Sequence, residues 1–95
     1  MIVLRTEVFK EWLYDLRDDM AKRKIMVCIK RLENGNFGDH HSVANGVSEL
    51  RIHYGSGYRI YYTIRGNEVI LLLIGGDKNS QKQDIDLAKA LAKEV

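Results

Sequence analysis

Residues 48–85 constrain the fold most, because they hold three strand patterns separated by two glycine turns. The stretch reads SELRIHYGSGYRIYYTIRGNEVILLLIGGDKNSQKQDI. Apolar residues alternate along the first two runs, as they do in half-buried strands. The glycine turns at 55–57 and 66–67 have the composition of hairpin loops. Ser80 and Gln83 then give the capping-box pattern S-x-x-Q, which predicts the start of a C-terminal helix.

The alternation predicts how these strands pair and what each face carries. A three-residue loop at 55–57 places Arg51 opposite Tyr61, and a two-residue turn at 66–67 places Tyr61 opposite Leu72. One face is then apolar, and the other carries alternating polar and aromatic side chains. The strand 69–74 is apolar on both faces, which puts Ile70, Leu72 and Ile74 on the cationic face. We expect the C-terminal helix or a partner protein to cover them there.

The first third of the chain predicts a short strand and two helices. Residues 2–5 form a β-type run, and Thr6 can cap the first helix. Asp18 can cap the second helix, which ends at the glycine of 34–35. Residues 34–46 predict a long loop, and Gly75-Gly76 a sharp turn after the last strand. The chain is therefore expected to form one α+β domain over residues 1–95, in the order β-α-α-β-β-β-α, with a helical hairpin packed on a mainly antiparallel sheet.

Composition narrows the setting of the protein. The chain has 95 residues, of which 45% are hydrophobic, and a formal net charge of +2 that permits nucleic-acid contact without demanding it. No apolar run approaches the roughly 20 residues of a membrane span. The start MIVLRTEVF lacks the apolar core of a signal peptide, and the lone Cys28 fits a reducing compartment. We expect a cytoplasmic protein without membrane contact.

Four motifs carry a family resemblance. They are FKEWLYDLRD, RLENGNFGD, ELRIHYGSGYRIYY and LLLIGGDKNSQKQDI. With them the chain resembles toxins of the RelE/ParE superfamily, in the HigB-like branch of phage-derived addiction module killer proteins. The resemblance implies a ribonuclease-like α+β fold and the toxin of a type II toxin–antitoxin system. It also implies a cognate helix-turn-helix antitoxin, and growth inhibition by ribosome-dependent cleavage of mRNA.

The resemblance also implies candidate catalytic residues. Arg51 and Arg59 match the sheet arginines of the superfamily, and Lys78 matches the basic position after the last strand. Metal-free RNA cleavage needs a base, an acid and cations that stabilise the extra negative charge. On the same predicted face, Glu49 and His53 are the available bases and Tyr61 is the possible acid. The catalytic set is therefore Glu49, Arg51, His53, Arg59, Tyr61 and Lys78.

Basic side chains on the helices form a second predicted set. They could contact RNA phosphates, although a solvated helix face explains them as well. This RNA-binding set is Arg23, Lys30, Arg31 and Lys82. Asp39 adjoins His40 and His41, but adjacent histidines splay apart and no second ligand pair follows at a suitable spacing. We therefore expect neither a metal ion nor another cofactor.

One departure from the superfamily leaves the activity open. Several mRNA-cleaving relatives end in a Tyr or His that serves the chemistry, whereas this chain ends in LAKALAKEV. The identity of the acid and base therefore stays undecided. A non-enzymatic inhibitor of DNA gyrase, as on the ParE side of the superfamily, is a second interpretation. A small protein-binding module with neither activity is a third.

Overall fold

A computed structural model describes residues 1–94, and Val95 lies outside the described residues. Three helices and five strands follow one another in the order β-α-α-β-β-β-β-α. They are β1 (Ile2–Arg5), α1 (Glu7–Asp15), α2 (Asp19–Glu33), β2 (His40–Ala44), β3 (Val47–Ile52), β4 (Tyr58–Arg65), β5 (Val69–Gly76) and α3 (Gln81–Glu94). The predicted α+β class, with a helical hairpin on a mainly antiparallel sheet, is confirmed.

The strands form one sheet in the order β1-β5-β4-β3-β2. β1 runs parallel to β5, and the other neighbours are antiparallel. β2 lies within the predicted long loop, which is therefore wrong for residues 40–44. The strand is an exposed edge with the polar sequence HHSVA. It lacks the apolar alternation that marks a strand with one buried face.

Side-chain caps fix the two N-terminal helices where the sequence placed them. The Thr6 hydroxyl accepts a hydrogen bond from the Phe9 N–H at 3.0 Å and donates to the Leu73 carbonyl at 2.6 Å. It thereby ties the start of α1 to β5. The Asp18 carboxylate accepts from the first turn of α2. Gly35, with φ +81°, follows the C-cap of α2.

The sheet carries an apolar cluster on each face. The helical hairpin covers one face, where the buried residues are Phe9, Ile25, Ile29, Leu32, Leu50, Ile52, Ile60, Tyr62, Ile70 and Leu72. α3 covers the other face, where they are Val47, Tyr61, Leu73, Ile74 and Ala88. The chain's own helix therefore supplies the cover that strand 69–74 needed. Within the described residues, none of the helices has the length and apolarity that a membrane span requires.

The predicted pairing of β3 with β4 is wrong by two residues. Arg51 lies opposite Arg59, and Glu49 lies opposite Tyr61. β3 ends at Ile52, so the connection spans residues 53–57 and not 55–57. A shift of two residues preserves the faces, because side chains alternate with a period of two.

The predicted pairing of β4 with β5 is wrong in a way that does change faces. Three residues, 66–68, separate the paired strand ends, which moves the register by one position. A bulge between Tyr61 and Tyr62 then moves it by another. Ile70 and Leu72 therefore lie under the helical hairpin, and only Ile74 faces α3 as expected.

The two glycines at the end of β5 serve close packing, so the predicted sharp turn there is wrong. Both belong to the strand. A Cβ on Gly75 would clash with the Trp12 ring of α1, and a Cβ on Gly76 would clash with the Asp84 carboxylate of α3. Helices from both faces thus approach the backbone at successive residues, which only glycine permits.

The start of α3 also differs from the predicted capping box. The Ser80 hydroxyl donates to the Asp84 carboxylate at 2.5 Å. The carboxylate of Asp77 accepts from the N–H groups of Asn79 and Ser80 and so closes the turn before the helix. At the other end, the Arg65 guanidinium donates to the Ala92 carbonyl at 2.6 Å. Polar contacts therefore anchor α3 to neighbouring segments at both ends.

Candidate functional site

Four of the six predicted catalytic residues form two adjacent cross-strand pairs. Arg51 of β3 lies opposite Arg59 of β4, and one step further into the sheet Glu49 lies opposite Tyr61. All four project toward α3, because they occupy alternate positions of their strands. The structure therefore brings together the side chains that the sequence placed on one face.

Glu49 is the centre of this group. Its side chain is 0% exposed, and its two oxygens lie 3.4 Å from Arg51 Nε and 3.1 Å from Arg59 Nε. The Gln81 amide of α3 donates to Glu49 Oε1 at 3.1 Å. A buried carboxylate is tolerated only with such partners. Glu49 therefore holds both guanidinium groups, of which that of Arg59 is largely covered whereas the Arg51 side chain stays 39% exposed.

Arg59 and Tyr61 lie deeper than an exposed catalytic pair would. The contact of Arg59 Nε with Glu49 is an ion pair whose angle falls outside hydrogen-bond geometry. Arg59 Nη1 and the Tyr61 hydroxyl are buried without a hydrogen-bond partner among the described residues. Burial, reinforced by the charges of Glu49 and Asp84, raises the pKa of Tyr61 to about 12. Tyr61 is therefore a neutral phenol at physiological pH.

His53 lies on the outside of the molecule, just past the end of β3. Its side chain is 75% exposed, and Nε2 lies 2.6 Å from Asp39 Oδ2. The other oxygen of Asp39 lies 2.9 Å from His41 Nε2. These two contacts, that of His53 foremost, lower the pKa of the Asp39 carboxyl. Asp39 thus fixes the orientation of an exposed imidazole, as an acid–base histidine requires.

The sequence considered Asp39 only as a possible metal ligand, together with its neighbouring histidines. Its contact with His53 spans fourteen positions, so no local spacing reveals it. The Arg51 N–H donates to the Asp39 carbonyl at 2.9 Å and so holds the loop beside β3. Among residues 1–94, no group of three or more His, Cys, Asp or Glu side chains is arranged to hold a metal ion.

Lys78 lies at the same end of the sheet. It is exposed in the turn between β5 and α3, and its aliphatic stem lies against Gly57 in the β3–β4 connection. Gly76, two residues earlier, pairs with Arg59. Lys78 thus remains available to solvent at the edge of the buried group.

A groove of about 490 Å³ lies between α2, the loop at 36–39 and the end of β3. We call it the α2–β3 groove. The lining includes the cationic residues Arg23, Lys24 and Arg31 of α2, together with Arg51 and His53 at the end of β3, where the Arg51 side chain itself points toward Glu49. Of the predicted RNA-binding set, Lys30 is exposed on α2 outside this lining, and Lys82 lies on α3. Lys24, which also lines the groove, is absent from the predicted set.

Two comparisons with known proteins give the chain its relatives. Residues 11–93 match the family described as phage derived protein Gp49-like (DUF891). An uncharacterized protein of Haemophilus influenzae is 49% identical over 90 residues, which cover 95% of this chain and 91% of that protein. This family is compatible with a toxin of a toxin–antitoxin pair, and its description specifies neither activity nor partner. The chain belongs to the phage-derived Gp49-like family.

Proposed function

We propose that the protein is the toxin of a type II toxin–antitoxin pair and inhibits translation as a metal-independent, ribosome-dependent mRNA endonuclease. Membership of the Gp49-like family is compatible with the toxin role. The observation that supports RNA cleavage best is the exposed His53, oriented by Asp39, next to Arg51 at the end of β3. A positioned base beside a guanidinium group is what cleavage next to a phosphate needs.

The proposed reaction is an internal transesterification. His53 takes the proton from a ribose 2′-hydroxyl, and the 2′-oxygen forms a bond to the adjacent phosphorus. The bond from phosphorus to the 5′-oxygen breaks, and that oxygen takes up a proton from solvent. The products are a 2′,3′-cyclic phosphate and a free 5′-hydroxyl. Arg51 and Lys78 stabilise the negative charge that grows on the phosphate oxygens.

The buried members of the predicted catalytic set position the side chains that contact the RNA. Glu49 contacts the Nε atoms of Arg51 and Arg59, so it fixes where Arg51 points. Arg59 compensates the negative charge of the Glu49 carboxylate. Tyr61 fills the buried end of this cluster of four side chains. We assign Glu49, Arg59 and Tyr61 as positioning residues, because α3 covers them. Contacts of this kind hold a charged side chain in the geometry in which it best stabilises the transition state.

The ribosome and an antitoxin are the proposed partners. The proposed reaction uses one imidazole, that of His53, as the base, and the acid comes from solvent. Correct placement of the mRNA must then supply much of the rate, which a ribosome can do by holding the strand. A cognate helix-turn-helix antitoxin would neutralise the protein by covering the same end of the sheet.

A direct test compares purified protein on mRNA bound to translating ribosomes with the same mRNA alone. We expect cuts only on the ribosome, with 2′,3′-cyclic phosphate ends. His53→Ala should lower the cleavage rate about 100-fold or more. Tyr14→Phe, at an exposed side chain outside the groove lining, is the control. Rapid cutting of free mRNA, or full activity of folded His53→Ala, would refute the proposal.

A further inference from the structure

The α2–β3 groove has two kinds of surface, cationic and apolar, that a single ligand could contact together. Its rim is cationic, and within the described residues Asp39 is the one carboxylate in the lining. Both oxygens of Asp39 already contact histidines. Its floor is apolar, with Val27 and Met20 of α2 about half exposed. An anionic group with an attached flat, apolar surface would satisfy both.

α2 presents its cations to the groove by helical spacing. Arg23, Val27 and Arg31 recur every four residues, so they lie along one side of the helix. The Lys24 ammonium lies 5.3 Å from the centre of the Tyr54 ring, which holds that side chain near the end of the sheet. The cations of the rim therefore form a row along α2, across the groove from the end of β3 where Arg51 and His53 lie.

The volume of the groove fits one nucleotide and not a folded partner. About 490 Å³ lies within the range of roughly 300–1,000 Å³ that small-ligand sites occupy. Single-stranded RNA places unstacked bases on apolar or aromatic surfaces while cations follow its phosphates. A duplex cannot place a base on this floor, because its bases are stacked inside.

We propose that the α2–β3 groove binds an unpaired nucleotide of single-stranded RNA, with its base on the floor at Val27 and its flanking phosphates on Arg23 and Arg31. This inference rests on the proposed function and adds the path of the substrate strand to it. The strand then leaves the groove past Arg51 and reaches His53. The RNA therefore binds on the side of the sheet that the helical hairpin covers, and not on the face under α3.

Cys28 supplies a local reporter of occupancy. It is half-buried, lines the groove and is the one cysteine of the chain. A maleimide should label it slowly, because burial raises the pKa of its thiol. The probe is an eight-nucleotide RNA with 2′-O-methyl groups, which cannot be cut by the proposed reaction. At saturation it should slow labelling at least fivefold, whereas duplex DNA and inorganic phosphate should not.

Binding affinity gives a second readout with a matched charge control. Arg23→Ala with Arg31→Ala should weaken binding of the labelled octamer about tenfold. It should also reduce the slope of log affinity against log salt by about 1.4, since each phosphate contact contributes about 0.7. Lys89→Ala with Lys93→Ala removes the same charge from exposed positions of α3 and should change affinity less than twofold.

The outcomes separate this inference from the proposed function. Unchanged labelling of Cys28 at saturating RNA, or equal weakening in both double variants, would overturn the groove assignment. An acidic peptide that protects Cys28 where the RNA does not would overturn it as well. If wild-type protein still cuts ribosome-bound mRNA in any of these cases, the endonuclease proposal stands and only the path of the strand is wrong.

Discussion

At the scale of single residues, Glu49 governs the chemistry of the sheet end. A carboxylate with no exposed surface contacts two arginines and one amide. The sequence identified it as a possible base because it occupies the right face of β3. Burial changes that role, since a carboxylate fixed between two guanidinium groups serves to hold them.

Glu49→Gln should destabilise the protein by about 3 kcal/mol, because two guanidinium groups would lose their buried counter-charge. Urea denaturation measures this loss. Glu68→Gln, at an exposed residue of the β4–β5 turn, is the matched control and should stay within about 0.5 kcal/mol of wild type. Equal stability of Glu49→Gln and wild type would show that the ion pairs contribute nothing.

Tyr61 should make stability fall at high pH. Its pKa of about 12 in the folded protein lies above the ordinary value of 10.0, so the folded state binds the proton more tightly. This contribution is complete below pH 10 and disappears as the pH rises toward 12. Unfolding free energy measured at pH 9 and pH 11 should therefore decrease more in wild type than in Tyr61→Phe.

Tyr14, whose side chain lies in solvent, is the site of the control substitution. Tyr14→Phe should show the same loss of stability between pH 9 and pH 11 as wild type. If Tyr61→Phe loses as much stability between pH 9 and pH 11 as Tyr14→Phe does, then the pKa of Tyr61 is not raised by burial and this prediction is wrong.

At the scale of secondary-structure elements, β5 is held between two helices that meet its backbone at adjacent glycines. Gly75→Ala should cost about 2 kcal/mol or more, because the Trp12 ring must move out of the core. Gly76→Ala should instead displace the first turn of α3 and increase amide exchange there. Thermal melting and hydrogen exchange measure the two effects.

A substitution at a different glycine measures the effect of backbone strain without a packing clash. Gly35 has φ +81° and nothing within 4 Å of a Cβ built on it. Gly35→Ala should therefore cost about 1 kcal/mol through the left-handed conformation alone. If Gly75→Ala is no more destabilising than Gly35→Ala, the close approach of Trp12 does not limit this strand.

The elements that the sequence predicted correctly have local signals. Thr6 and Asp18 cap helices through bonds to the next two or three residues, and such patterns can be recognised along the chain. The bulge at Tyr61 has no such signal, because it depends on how β5 pairs across the sheet. β2 was missed for a related reason, since pairing with β3 and not apolar patterning makes it a strand.

At the scale of the whole molecule, the sequence predicted half of the candidate site. Alternation along β3 and β4 correctly placed Glu49, Arg51, Arg59 and Tyr61 on one face, although it paired Arg51 with Tyr61 and not with Arg59. It could not identify the groove, whose lining comes from α2, a loop and the edge of β3. It predicted a cover over the apolar strip of that face but not the burial of Glu49 and Arg59, because burial depends on how a later helix packs.

The central claim is that this chain cuts translated mRNA with His53. The most direct test is induction of wild-type protein and His53→Ala in bacteria, followed by mapping of mRNA 5′ ends. We predict discrete cuts within open reading frames for wild type, which vanish when translation is blocked and are absent for a folded His53→Ala protein. Intact mRNA together with DNA damage in growth-arrested cells would contradict the claim and select gyrase inhibition in its place.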